Sequence, residues 1–71
     1  MTLDQAARAL RAMYDDPATG KAVSVHLFGI RYAEQIQGLD AREIARRAAI
    51  PESYGTEIRK GITLAAYVRE R

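Results

Sequence analysis

The side chains with the clearest binding chemistry lie between residues 40 and 60 of this 71-residue sequence. They are basic or carry a hydroxyl group, namely Arg42, Arg46, Ser53, Thr56, Arg59 and Lys60. Guanidinium and ammonium groups pair with phosphate oxygens, and hydroxyl groups donate to phosphate or base acceptors. These residue types therefore predict noncovalent binding of duplex DNA, with Arg59 and Lys60 contacting phosphate.

Each of these residues also has a purely structural explanation. Arg42 and Arg46 lie four residues apart, and like charges at that spacing mildly destabilise a helix. A phosphate would relieve that repulsion, whereas a solvated basic face needs no partner, and the sequence leaves both open. Ser53 is as consistent with a helix N-cap as with a DNA contact. Tyr54 is expected at the edge of the core rather than stacked on a base.

Nothing in the sequence is typical of a catalytic or metal-binding site. His26 is the only histidine, there is no cysteine, and no glycine-rich phosphate loop is present. One histidine without a nucleophile or a ligand cluster makes neither a catalytic triad nor a metal site. We therefore predict that the protein is not an enzyme and needs no metal or cofactor. His26 is expected to be a packed or half-exposed helix residue.

The distribution of charge fits a phosphate partner. Residues 1–37 contain four basic and four acidic residues, whereas residues 38–71 contain seven basic and five acidic ones, so the net charge of +2 belongs to the second half. A basic excess around a candidate DNA-binding segment is the expected sign. Glu52 and Glu57 oppose tight phosphate binding, because both lie within the same segment.

Length and composition predict one soluble domain, residues 1–71, in the cytoplasm. No apolar run reaches the roughly 18 to 20 residues that a membrane-spanning helix needs. Asp4 stands where an export signal would carry positive charge, and the lack of cysteine fits a reducing compartment.

Residues 40–60 have the pattern of two helices joined by a tight turn. Asp40 and Glu43 match a capping box at the start of a helix over Ala41–Ala49, and a turn follows at Ala49–Pro51. The next helix is expected to begin near Glu52 or Ser53. Ile44 on the first helix and Ile58 on the second are predicted to point inward. This arrangement is a helix-turn-helix, whose second helix enters the DNA major groove.

The other predicted elements are also helical. A Thr2/Gln5 capping box and apolar residues at helical spacing predict a helix over about Leu3–Tyr14. A second helix over about Lys21–Gln37 is apolar around most of its circumference. A strand at Val23–Ile30 is the alternative, but no second strand is available to pair with it. The fold is therefore predicted to be an all-α compact bundle of four to five helices with no β-wing.

Three glycines carry local predictions. Gly29 lies inside the second predicted helix, where it is expected to mark the close approach of another helix. Gly38 suits a left-handed residue at that helix's C-terminus. Gly61 is expected to bend or break the last helix, so the segment Thr63–Arg71 is either a separate helix or a continuation.

Three stretches of the sequence, 26–34, 50–61 and 64–68, resemble a small bacterial helix-turn-helix-like domain family. The resemblance spans about residues 22–68. That family is named for its fold and has no well-defined activity, so the resemblance implies DNA binding by analogy. The stretch from Ile50 to Ile58 also looks like the turn and recognition helix of bacterial winged-helix regulators. The chain differs from them in lacking a wing and in having Ala49 where the turn often has glycine.

Two functions follow from the sequence. The first is a small DNA-binding regulator or accessory factor that contacts duplex DNA with the helix starting near Ser53. The alternative is a protein-interaction or homodimerisation module that uses the C-terminal apolar residues Ile62, Leu64, Ala65, Tyr67 and Val68. A contiguous positive surface over the four predicted basic contacts favours DNA. Internal pairing of those charges beside an apolar C-terminus favours a protein partner.

Overall fold

The computed structural model describes residues 1–68, and within that range it contains helices and no strand. In chain order the helices are α1 (Leu3–Tyr14), α2 (Lys21–Arg31), α3 (Ala33–Ile36), α4 (Ala41–Arg47) and α5 (Tyr54–Leu64). The most extensive helix packing is between α2 and α5. Helix α1 packs on α4 and α2, and α4 packs on α5. The predicted all-α bundle with a helix-turn-helix is confirmed. Residues 69–71, the end of the predicted segment Thr63–Arg71, lie outside the described residues.

Local capping interactions begin α1 and α4. The Thr2 hydroxyl accepts from the Gln5 amide at 3.1 Å, and the Gln5 side chain accepts from the Thr2 amide at 2.8 Å, which completes the predicted capping box. The Asp40 carboxylate accepts from the amides of Arg42 and Glu43. The Glu43 side chain does not return to Asp40, because arginines one turn ahead bind it. Only half of the second predicted capping box is therefore present.

The bounds of two predicted helices differ in the structure. The predicted helix Lys21–Gln37 is interrupted at Tyr32, whose backbone (φ −108°, ψ 18°) leaves helical geometry, and α3 follows as a short separate helix. The Tyr32 ring packs on Phe28 at 5.3 Å, and Ile36 beyond the break is fully buried. Gly61 does not break α5, which continues to Leu64.

The core is small and is built mainly from aliphatic side chains. Phe28, Ile44 and Ile58 are all fully buried in one cluster, which confirms the inward orientation predicted for the two isoleucines. The other buried apolar residues are Ala6, Ala7, Leu10, Val25, Ile36, Ala41, Ala45, Ala48 and Ile50. Helices α1, α2 and α4 each contribute at least two buried apolar residues, whereas α3 contributes Ile36 and α5 contributes Ile58. The two helices of the helix-turn-helix are therefore held by the same core as α1 and α2.

A pair of glycines brings the backbones of α2 and α5 into contact. A Cβ atom added to Gly29 would lie 2.9 Å from the Cα atom of Gly61 and closer still to the backbone oxygen of Ile58. A Cβ atom added to Gly61 would lie 2.5 Å from the backbone oxygen of His26. The close approach predicted at Gly29 is confirmed. This crossing fixes the position of α5 against the rest of the domain.

The turn between α4 and α5 is a Schellman motif with alanine at the left-handed position. The Ile50 amide donates to the Ala45 oxygen at 3.1 Å, and the Ala49 amide donates to the Arg46 oxygen at 3.0 Å. Ala49 has φ 61°, whereas no glycine in residues 1–68 has a positive φ. The left-handed conformation predicted at Gly38 is therefore wrong, and Ala49 adopts it instead. Ile50 follows directly and is buried, so the apolar contact that accompanies this motif is present.

The strain at this turn gives a testable result, because glycine adopts the left-handed conformation without a Cβ clash. We expect Ala49→Gly to stabilise the domain by about 0.5–1 kcal/mol, since relief of roughly 1–2 kcal/mol exceeds the added backbone entropy. Ala12→Gly, within α1 and also exposed, should instead destabilise it by about 0.5–1 kcal/mol. Urea unfolding of both variants checks the prediction, and losses of similar size in both would contradict it.

Candidate nucleic-acid interface

The outer face of α5 presents four polar side chains to solvent. They are Thr56, Arg59, Lys60 and Thr63, all exposed and spaced so that they share one side of the helix. The opposite side carries Ile58, which is fully buried. Within residues 1–68, neither Arg59 nor the two threonine hydroxyls has a hydrogen-bond or ion-pair partner. This face therefore combines unengaged donors with positive charge.

The Glu57 carboxylate is shared between α2 and the edge of that face. Glu57 Oε2 is paired with His26 Nε2 on α2 at 2.5 Å, and both side chains are about one-third exposed. The other carboxylate oxygen lies 3.6 Å from Lys60 Nζ. The expectation of a half-exposed helix histidine is confirmed. Glu57 thus opposes phosphate binding less than its place in the sequence indicates, although it partly neutralises Lys60.

The arginines of α4 are not free. Arg42 Nη2 donates to Glu52 Oε1 at 3.3 Å, and its side chain lies beside Gly55 at the start of α5. Arg46 donates twice to Glu43, at 2.9 and 2.5 Å. The predicted repulsion between Arg42 and Arg46 is therefore offset by two acids from the same helix-turn-helix. Exposed pairs of this kind contribute only about 0–1 kcal/mol each, so a phosphate can compete for either arginine.

Arg47 completes an ion-pair network around Glu43. Its Nε atom donates to Glu43, four residues earlier, at 2.8 Å, and its Nη1 atom donates to Asp4 on α1 at 3.1 Å. Hydrogen bonds lower the pKa of Glu43 to about 2, and the contribution of Arg46 is larger than that of Arg47. The same bonds raise the pKa of both arginines.

This depressed pKa gives an acid-dependent loss of stability. Because the carboxylate of Glu43 is favoured in the folded state, its contribution is present above the usual value of 4.5 and is lost as the pH falls toward about 2. We therefore expect stability to fall less steeply across this range in Glu43→Gln than in the natural protein. Thermal unfolding measured between those pH values checks this. Glu34→Gln, at an exposed position on α3, should keep the natural slope, and equal slopes in all three proteins would contradict the prediction.

Arg11 is a positioning residue that was not predicted from the sequence. Its Nη1 atom donates to the backbone oxygens of Ala48 and Ala49, at 3.2 and 3.4 Å, and so binds the helix-turn-helix turn to α1. Asp15 holds the same guanidinium through two contacts of 3.0 Å. From the sequence, only the ion pair with Asp15 could have been predicted, because the two residues are four apart. The contact with the turn could not, since Ala48 lies 37 residues away from Arg11.

Ser53 and Tyr54 lie at the N-terminal end of α5. Ser53 is exposed and makes no side-chain capping hydrogen bond, so the N-cap function considered for it is absent. Tyr54 packs edge-on against Tyr14 of α1, with ring centroids 5.8 Å apart. The proximity of Tyr14 and burial raise the pKa of Tyr54. Tyr54 is therefore a core-edge residue, as predicted, while the Ser53 hydroxyl is available to a ligand.

The C-terminal apolar residues divide into two groups. Ile62 packs against the core and Ala65 is partly buried. Leu64, Tyr67 and Val68 are 43%, 81% and 45% exposed. Of these five residues, only the second group presents large apolar side chains to solvent in the part of the chain that the structure describes.

Other kinds of site find no support in the part of the chain that the structure describes. No three histidine or acidic side chains in residues 1–68 are grouped as metal ligands. None of the helices in that range is long and apolar enough to cross a membrane.

Comparison with known proteins identifies the fold family. A family model described as an HTH-like domain matches residues 2–71, nearly the whole chain. Neither the curated proteins nor the solved structures contain a significant match. The helix-turn-helix architecture is thus supported both by the structure and by a sequence family.

Proposed function

We propose that this chain, which belongs to the HTH-like domain family, binds duplex DNA as a small regulator or accessory factor. The proposal rests on the exposed face of α5, where Arg59 and two threonine hydroxyls have no partner among residues 1–68. In this motif the second helix docks in the major groove, and α5 occupies that position. Side chains on its outer face would then meet phosphates and base edges.

The ion pairs divide the predicted contacts into two classes. Within the described residues, Arg59 has no ion pair to exchange, and Lys60 has only a long 3.6 Å contact with Glu57. Arg42 and Arg46 must exchange an acid for a phosphate before they contribute. We expect Ser53 and Thr56 to affect sequence preference rather than overall affinity. We expect non-specific binding no tighter than about 10⁻⁴ to 10⁻⁶ M at physiological salt.

The proposal is tested by removing the positive charge of Arg59. We expect Arg59→Gln to weaken binding to all mixed-sequence duplexes and to reduce the slope of log affinity against log salt by about 0.9. Fluorescence anisotropy titrations at two salt concentrations measure both quantities.

Arg8→Gln is the matched control. Arg8 is also exposed and has no partner within residues 1–68, but it lies on α1 rather than on α5. Binding by Arg8→Gln should equal that of the natural protein. An equal loss of DNA affinity in the two variants, or no DNA binding by the natural protein at low salt, would contradict the proposed function.

A second candidate is the protein-interaction module, favoured by the exposure of Leu64, Tyr67 and Val68 and by the internal pairing of Arg42 and Arg46. In that case the chain would self-associate or bind a partner through this surface. Light scattering over a range of concentrations tests self-association, and Tyr67→Ser should abolish it. With either candidate we propose a non-enzymatic, cofactor-free protein in the cytoplasm.

A further inference from the structure

A shallow groove of about 430 Å³ crosses the outer face of α5. It is lined by Thr56, Arg59, Lys60, Thr63 and Leu64. Its surface is mainly apolar even though two of these residues are cations. The aliphatic stems of arginine and lysine and the methyl group of threonine account for this, because only the ends of those side chains are polar.

Leu64 gives the groove its apolar end. It is 43% exposed and is not among the side chains packed against the core. It follows Thr63 directly and lies about one turn beyond Lys60 on the helix. A ligand with a small apolar group could therefore contact Leu64 and the Thr63 methyl group while its polar parts meet Arg59.

The positive charges of Arg59 and Lys60 limit which ligands the groove can bind. Arg59 is unpaired within residues 1–68, so an occupant that buries it must supply negative charge or hydrogen-bond acceptors. A second copy of this chain, docked by two-fold symmetry on the same groove, would place like charges against each other. The major groove of duplex DNA instead supplies acceptors, phosphates and one apolar group, the C5-methyl of thymine.

We propose that the α5 groove accepts the C5-methyl group of a pyrimidine in the major groove, with Leu64 and Thr63 in contact with the methyl group and Arg59 on adjacent acceptors. This inference rests on the proposed function and adds to it the chemical group that is recognised. Two bases can supply that group, thymine and 5-methylcytosine. The predicted preference is therefore for methylated pyrimidines rather than for a particular base-pairing pattern.

The experiment compares duplexes of one sequence that differ only in these methyl groups. A duplex rich in A·T pairs is titrated alongside the same duplex with deoxyuridine in place of thymidine. A third duplex contains deoxyuridine and 5-methylcytosine. We expect deoxyuridine to weaken binding about fourfold for each buried methyl group. The third duplex distinguishes the sources, since it recovers affinity if either base serves and stays weak if thymine alone does.

Variants show whether the groove is responsible. Leu64→Ala and Thr63→Ser should retain salt-dependent binding but lose the difference between thymidine and deoxyuridine. Val23→Ala, at an exposed position on α2, should keep that difference. Equal, salt-dependent affinity of the natural protein for all duplexes would overturn the methyl-contact assignment and leave DNA binding intact. No binding to any of them would overturn both.

Discussion

Gly29→Ala is expected to disrupt the packing of α2 on α5 and to cost the domain about 3 kcal/mol or more. The new Cβ atom would meet backbone atoms, namely the Cα of Gly61 at 2.9 Å and the oxygen of Ile58. Backbone atoms cannot rotate away as the end of a side chain can, so the two helices must separate. The better helix propensity of alanine offsets only about 1 kcal/mol of this cost.

The size of that loss matters because the domain is small. At about 0.05–0.15 kcal/mol per residue, a chain of this length has roughly 4–11 kcal/mol of stability in total. A Gly29→Ala protein should therefore be partly unfolded at room temperature or melt far below the natural protein. Displacing α5 would also remove the outer face that carries Arg59 from its position. DNA binding should thus weaken together with stability.

Gly38→Ala is the matched control for this substitution. A Cβ atom at Gly38 meets nothing within 4 Å, and Gly38 does not have a positive φ. We expect a stability change of no more than about 0.5 kcal/mol in either direction. Circular dichroism during urea unfolding measures both variants. If Gly29→Ala proves as stable as Gly38→Ala, the helices are not in backbone contact.

Ile44→Ala is the second substitution with a large expected effect. Ile44 is fully buried and lies in the middle of α4, which has only seven residues. Truncation removes apolar contacts and leaves a cavity, at a cost of about 2–5 kcal/mol. So short a helix depends on its buried face for stability rather than on its own hydrogen bonds. We therefore expect α4 and the following turn to lose their structure first.

Chemical denaturation together with amide chemical shifts tests this result. The shifts of α4 and of residues 48–53 should change more than those of α1. Val23→Ala is the control, because Val23 is 53% exposed and its truncation removes little buried surface. An unchanged midpoint in Ile44→Ala would show that Ile44 is not a core residue.

The sequence by itself determined those features that depend on near neighbours. Apolar residues three and four apart predicted the helices and the burial of Ile44 and Ile58. The Thr2 cap and the Asp40 cap were recognisable because their partners lie two or three residues away. Gly29 predicted a close helix contact, because glycine inside a helix lowers helix stability and is expected there when packing requires it.

Predictions from local chemistry failed where tertiary packing changed the backbone. Gly38 suited a left-handed residue, but Ala49 adopts that conformation because the Schellman turn buries Ile50. The break at Tyr32 was not predicted either. The apolar pattern continues through it, and the interruption accompanies the burial of Ile36 in the core.

Only the tertiary structure decided which charges of the candidate interface are free. The sequence placed Arg42, Arg46, Arg59 and Lys60 in one class, yet in residues 1–68 only Arg59 lacks an internal partner. Glu57 turns toward His26, 31 residues away, and Arg11 reaches the turn across 37 residues. Ion pairs form between side chains that the fold brings within a few ångströms, so spacing along the chain determines them only within one helix.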